Sequence, residues 1–211
     1  MTTDTGTNKR KKGIETQNRI LEVASDLFAR RGFDSVSIRQ ITREVGIKES
    51  SLYNHFDNKE HILETLFTMF VEQTPAARPS DAELDQMLLM LQPEEVFKNI
   101  LFHFGRHINP ILENTAMIIT IEKYKNPRAA EIYFKCVVEE AAAYYERLIR
   151  KMIARGMLKP VDARLFAEQY NYMQIALTKE YYMAKNGLAD MQTVIGYMLK
   201  TIHFFCTQIN A

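Results

Sequence analysis

The chain has no tryptophan, two cysteines, six prolines and eight glycines in 211 residues. Cys136 and Cys206 stand apart in apolar helical patterns, which argues against a disulfide framework and for a reducing, cytoplasmic setting. No apolar run reaches the roughly eighteen residues that a membrane-spanning helix needs. The opening residues MTTDTGTNKRKKG carry no apolar segment of the signal-peptide type. The net charge is only +1, so any nucleic-acid binding must arise from local charge. No phosphate loop, nucleophile elbow or zinc-ligand spacing occurs, so neither an enzyme nor a cofactor or metal centre is expected. Few glycines and prolines, with no sustained period-two alternation, predict an all-α fold of about nine helices.

The most informative stretch is Ser37 to Lys59, SIRQITREVGIKESSLYNHFDNK. Ile38, Ile41, Thr42 and Val45 recur on one helical face. Ser37 and Gln40 read as a capping box, and Gly46 supplies the backbone freedom of a tight turn. From Lys48 to about His55 a second short helix turns Leu52, with Phe56 after it, inward. Ser50, Ser51, Tyr53, Asn54 and His55 are left outward. A helix, a tight turn and a polar second helix form the geometry that seats a recognition helix in the DNA major groove. A preceding helix is expected over 14–31, with Ile20, Leu21, Ala24, Leu27 and Phe28 inward and Gly32 as its stop. Residues 1–13, with the basic run Lys9–Lys12, read as a flexible arm, either solvated or lying along DNA. Asp57 and Glu60 suggest a capping box opening a fourth helix to about Gln73.

Pro75 and Pro79 mark the clearest break in the chain. Helices are expected over 82–91, 93–108, 110–125, 127–155, 162–186 and 190–208. This gives a helix-turn-helix domain over 14–56 and a helical domain over 57–211, joined through the fourth helix.

Gly32-Phe33, the Ser37 cap, Ile41-Thr42, Val45-Gly46-Ile47, Leu52-Tyr53-Asn54-His55-Phe56 and Lys59-Glu60 together resemble the headpiece of the TetR family of bacterial transcriptional regulators. Thr42 and Val45 depart from that pattern in place of small alanines, Lys48 in place of a frequent capping serine, and Glu49 in place of a polar or basic residue. The resemblance implies phosphate contacts by Tyr53 and Lys59. Their chemistry agrees, since a hydroxyl and an ammonium near helix termini both suit an anion. The Ser37 cap similarly presents a helix start. Arg39, Glu49, Ser50, Ser51, Asn54 and His55 are candidates to read bases, and Arg43 and Lys48 to neighbour phosphates.

The resemblance further implies a homodimeric repressor, released from a near-palindromic double-stranded DNA operator by a small-molecule effector. The two-fold dimer also follows from the few base pairs that one short helix can read. The last two helices are its expected interface. They carry stripes of Phe166, Tyr170, Met173 and Leu177, and of Ile195, Met198, Leu199, Ile202, Phe205 and Cys206. Candidate effector contacts are Phe97, Leu101, His103, Phe104, His107, Met117, Ile121, Tyr124, Phe134, Tyr144, Tyr145, Tyr172 and Met173. His103 and His107, one helical turn apart, read as ligand contacts or core histidines, or less readily as a metal pair completed by Glu113 or Glu122. Control by a protein partner, an architectural role and activation in place of repression remain alternatives.

Overall fold

A computed structural model describes residues 4–209, and its regular structure is helical throughout, with no β-strand among the described residues. The packing divides the chain into two compact units. The first comprises residues 1–74 and 108–130, the second 75–107 and 131–211.

In the first unit, α1 (Asp4–Arg31) is followed by α2 (Ile38–Val45), α3 (Glu49–Leu52) and α4 (Lys59–Gln73). The helix expected from residue 14 therefore begins ten residues earlier, within the stretch read as a flexible arm. Lysine and arginine are good helix formers, and two glycines, Gly6 and Gly13, cost only about 1 kcal/mol each, so no proline or other strong breaker stops the helix from extending back. Arg10, Lys11 and Lys12 are exposed on it. Met1–Thr3 and the side chain of Lys9 lie outside the described residues. Gly32 ends α1 at φ 81°, its N–H bonding the Phe28 carbonyl at 2.9 Å. Phe33 then packs edge-on against Phe28, the centroids 5.1 Å apart.

The boundary expected after Phe56 is not where the packing divides. α4 and α7 (Pro110–Glu122) belong to the first unit, and α7 packs against both α1 and α4. Leu112, Ile118 and Ile119 of α7 are buried, as are Ile62, Leu63, Leu66, Phe67 and Phe70 of α4. A three-helix headpiece alone has too little apolar surface to cover such a stripe. Asn114 of α7 donates to the fully buried Ser25 hydroxyl at 3.3 Å, and Lys125 pairs with Asp34.

The second unit holds a 3-10 turn (Thr74–Ala77) from its second residue on, then α5 (Asp81–Met90), α6 (Pro93–His107), α8 (Pro127–Ile132) in its last two residues, α9 (Glu140–Ala154), α10 (Ala163–Lys185) and α11 (Met191–Ile209). Its main core gathers Val96, Phe97, Ile100, Leu148, Met152, Tyr170 and Ile202. A smaller cluster joins Leu177, Ala184, Val194 and Met198. α8 and α9 form the expected long helix, but a π-helical segment, Tyr133–Glu139, lies between them. There the buried Asn171 of α10 donates to the carbonyls of Val137 and Val138, at 3.1 and 3.2 Å. Its side chain satisfies carbonyls that the wider winding leaves without regular α-helical partners.

A capping box that the sequence reading passed over opens α5. The Ser80 hydroxyl accepts from the Glu83 N–H at 3.3 Å, and the Glu83 carboxylate accepts from the Ser80 N–H at 2.8 Å. Ser80→Ala is expected to lower the stability of the chain by about 1 kcal/mol, read as a shift in urea midpoint at unchanged slope.

Candidate nucleic-acid interface

The helix-turn-helix is built by few residues. Ser37 caps α2, accepting from the Gln40 N–H at 3.3 Å while the Gln40 side chain accepts from the Ser37 N–H at 2.7 Å. Ile41 and Thr42 are buried beneath α2. Gly46 turns the chain at φ 80°, and the N–H groups of Gly46 and Ile47 both reach the Thr42 carbonyl, at 2.9 and 3.0 Å. Only glycine adopts this backbone without strain. α3 is a single turn, shorter than the helix expected over 48–55. Leu52, fully buried, and Phe56 anchor it, and the chain leaves through turns at Tyr53–His55.

This frame presents Arg39, Arg43, Lys48, Glu49, Ser50, Tyr53 and Asn54 as exposed side chains, whereas Ser51 and His55 are half-buried. Tyr53 is 51% exposed although it is a large aromatic, so its ring is not spent on the core. Lys59 is otherwise engaged. Its ammonium donates to the Phe33 carbonyl at 2.9 Å and lies 4.1 Å from the Phe33 ring centroid. It therefore fastens the start of α4 to the turn after α1, and two of its three N–H donors remain for another acceptor. The cap of α4 is Asn58, which accepts from the His61 N–H at 2.7 Å. Asp57, expected there, instead faces the His61 ring at 3.2 Å.

The residues proposed for an effector site scatter. Met117, Ile121 and Tyr124 belong to the first unit, and Tyr124 is 83% exposed. Phe97 and Tyr145 pack around Tyr170 in the second unit's core, their centroids 4.9 and 4.8 Å from it. Leu101 and Phe104 are half-buried, with Leu101 packed against both core clusters of that unit. Phe134 and Tyr172 are exposed. Three of the thirteen, His103, His107 and Tyr144, line one cavity of about 720 Å³ in the second unit. Its other walls include Arg78, Glu83 and Arg147, which periodicity could not single out because they lie on polar faces. The rings of His103 and His107 stack with centroids 4.0 Å apart, and His107 Nδ1 is 2.8 Å from the His103 carbonyl. Burial, with His107 adding to it, pushes the His103 pKa below the usual imidazole value. No group of three or more His, Cys, Asp or Glu is placed to hold a metal ion among the described residues. Glu113 and Glu122 lie on α7 in the first unit.

On the last two helices, Tyr170, Leu177, Met198, Ile202 and Cys206 are buried within the unit. The large apolar side chains left exposed there are Leu165, Tyr172, Met173, Met183, Tyr197 and Phe204, of which only Met173 belongs to an expected stripe. Both helices are apolar on more than one side, so the stripe most visible in the sequence is the one that fills the core. Among the described residues, no helix is long and apolar enough to cross a membrane.

The profile of the bacterial regulatory proteins of the tetR family matches residues 20–66. The chain is 27% identical over 124 residues to YdgC, an HTH-type transcriptional regulator of Bacillus subtilis, covering 57% of this chain and 60% of that protein. It is 37% identical over 60 residues to IcaR of Staphylococcus epidermidis, a negative transcriptional regulator of a biofilm operon, covering 26% of this chain and 32% of IcaR. The matched stretches thus span less than two-thirds of these relatives. The fold extends further. A transcriptional regulator from Saccharomonospora viridis, solved in complex with choline, superposes with a TM-score of 0.67 at 21% identity, over 93% of this chain and 98% of that one. The matched region runs from Ile20 of α1, through the Gly46 turn, to Leu66 of α4, and over it the chain is similar to the DNA-binding segment of the tetR family of bacterial regulatory proteins.

Proposed function

We propose that this protein is a sequence-specific DNA-binding transcriptional regulator, acting as a homodimeric repressor that a small molecule releases from a near-palindromic operator. The observation that carries this reading is the exposed surface of α2 and α3. Arg39, Arg43, Lys48, Ser50, Tyr53 and Asn54 stand outward on a turn held by buried Ile41 and Leu52. Arginine and asparagine are the side chains that pair bidentately with guanine and adenine edges. Lys48, Arg43, Tyr53 and the free donors of Lys59 supply phosphate contacts. The repressor sign is favoured by the similarity to IcaR, a negative regulator.

Two copies are required because a single one-turn recognition segment reads few base pairs. The uncovered face on α10 and α11, with Met173, Tyr197 and Phe204 around a groove of about 390 Å³, is the surface we assign to self-association. An effector in the cavity of the second unit lowers DNA affinity only by its differential affinity for the bound and released states. The choline complex of the S. viridis regulator makes a small-molecule effector the favoured input here.

Fluorescence anisotropy across a salt series tests the reading, with duplex DNA flanking this protein's own gene and scrambled duplex of equal length. Tight binding to the flanking DNA alone is expected, with two subunits per site and affinity falling steeply as salt rises. Absence of binding to any duplex at low salt would contradict it.

A further inference from the structure

The second unit's cavity has a charge pattern that narrows what it can hold. Arg78 and Arg147 flank the buried Tyr144, their guanidinium carbons 5.5 and 5.9 Å from its ring centroid. Among the described residues, neither guanidinium is in an ion pair, and Arg147 makes only a 3.4 Å bond to the Ala143 carbonyl of its own helix. Two carboxylates on the same walls are already engaged. Glu83 accepts from the Ser80 N–H and hydroxyl at 2.8 and 2.7 Å. Asp81 faces Lys151 at 3.5 Å. The Tyr144 hydroxyl donates to the Pro79 carbonyl at 3.3 Å, which leaves the ring, not the hydroxyl, for a visitor.

We propose that this cavity binds an organic anion, with its anionic head held by Arg78 and Arg147 and its apolar body against Tyr144 and the stacked His103–His107 rings. The assignment rests on the regulator reading for its role as the effector site, and on the cavity alone for its chemistry. A guanidinium beside an aromatic ring keeps its N–H edge free, and that edge matches a carboxylate or phosphate bidentately. The aromatic contact also holds both side chains in place before the ligand arrives, so less rotamer freedom is lost on binding. A volume of about 720 Å³ suits a compound of two or three fused rings or a medium acyl chain. Arg78 and Arg147 are thus the two guanidiniums of a wall in which Asp81 faces Lys151 and the oxygens of Glu83 are taken up by the Ser80 N–H and hydroxyl.

The test uses the full chain without DNA. The probes are 8-anilinonaphthalene-1-sulfonate and N-phenyl-1-naphthylamine, the same rings without the sulfonate, each titrated by fluorescence. The double variant Arg78→Gln/Arg147→Gln is expected to bind the sulfonate at least tenfold more weakly and the neutral amine equally. The exposed single variant Arg147→Gln, which has no core role to lose, should move in the same direction. Displacement by 1-naphthoate and by 1-naphthyl phosphate tells a carboxylate head from a phosphate head, and either displacing better than 1-naphthamide supports the assignment. An unchanged sulfonate affinity in the double variant overturns it, as does equal displacement by the neutral amide or stronger displacement by a naphthyl trimethylammonium. Operator binding by the same preparations is measured separately. DNA binding without anion binding would sink this inference alone, and anion binding without DNA binding would sink the regulator reading.

Discussion

Replacing Leu52 by alanine is expected to destabilise the first unit by about 3 kcal/mol and to weaken operator binding more than tenfold. Leu52 is fully buried, and α3 has only four residues. A single turn cannot stand by its own hydrogen bonds, since nucleating a helix costs more than one turn returns. Its position therefore depends on Leu52 and Phe56, and the cavity left by truncation frees the side chains that face DNA. The exposed neighbour gives the contrast. Ser50→Ala should leave stability within about 0.5 kcal/mol while still lowering DNA affinity. Urea denaturation followed by circular dichroism, with anisotropy on the same samples, separates the two. Wild-type DNA affinity in a clearly destabilised Leu52→Ala would show that α3 does not present the recognition surface.

The second large effect is expected at Asn171. Its amide donates to the Val137 and Val138 carbonyls inside the π segment, and the residue is buried. Asn171→Leu keeps the branching at Cγ but leaves two carbonyls without that donor in an apolar surround. The expected loss is about 2–4 kcal/mol, from two forfeited hydrogen bonds and the desolvation left uncompensated. Asn171→Gln, which retains an amide but lengthens the side chain, should fall between. Thermal and urea unfolding read the effect. A stability loss below about 0.5 kcal/mol in Asn171→Leu would mean that the π winding is satisfied without this side chain.

The headpiece was legible from its residues because its signals are local. A serine cap, a glycine at positive φ and a 3.6-residue apolar period all act within one turn of the residue that carries them. The start of α1 was misread because a basic polar run looks alike whether solvated as coil or as exposed helix. The π segment was invisible because its cause, Asn171, lies more than thirty residues away in the chain. The alliance of α7 with α1 and α4 is likewise tertiary. An apolar helix shows that it will be buried, not against what. The candidate effector residues illustrate the same limit. Aromatic and methionine stripes mark core as readily as pocket, so Phe97 and Tyr145 pack inside while Tyr124 and Phe134 are exposed. The two arginines that give the cavity its chemistry had no periodic signature at all.

The central claim is that the surface of α2 and α3 reads a specific duplex sequence, and selection from a randomised duplex pool tests it most directly. Rounds of capture on the purified full chain are expected to enrich a near-palindromic site with two half-sites about one helical turn, or a multiple of it, apart. The same selection with Ser50→Ala/Asn54→Ala should relax the preference inside each half-site. Sequences recovered at random, or a site unchanged by that double variant, would contradict the account.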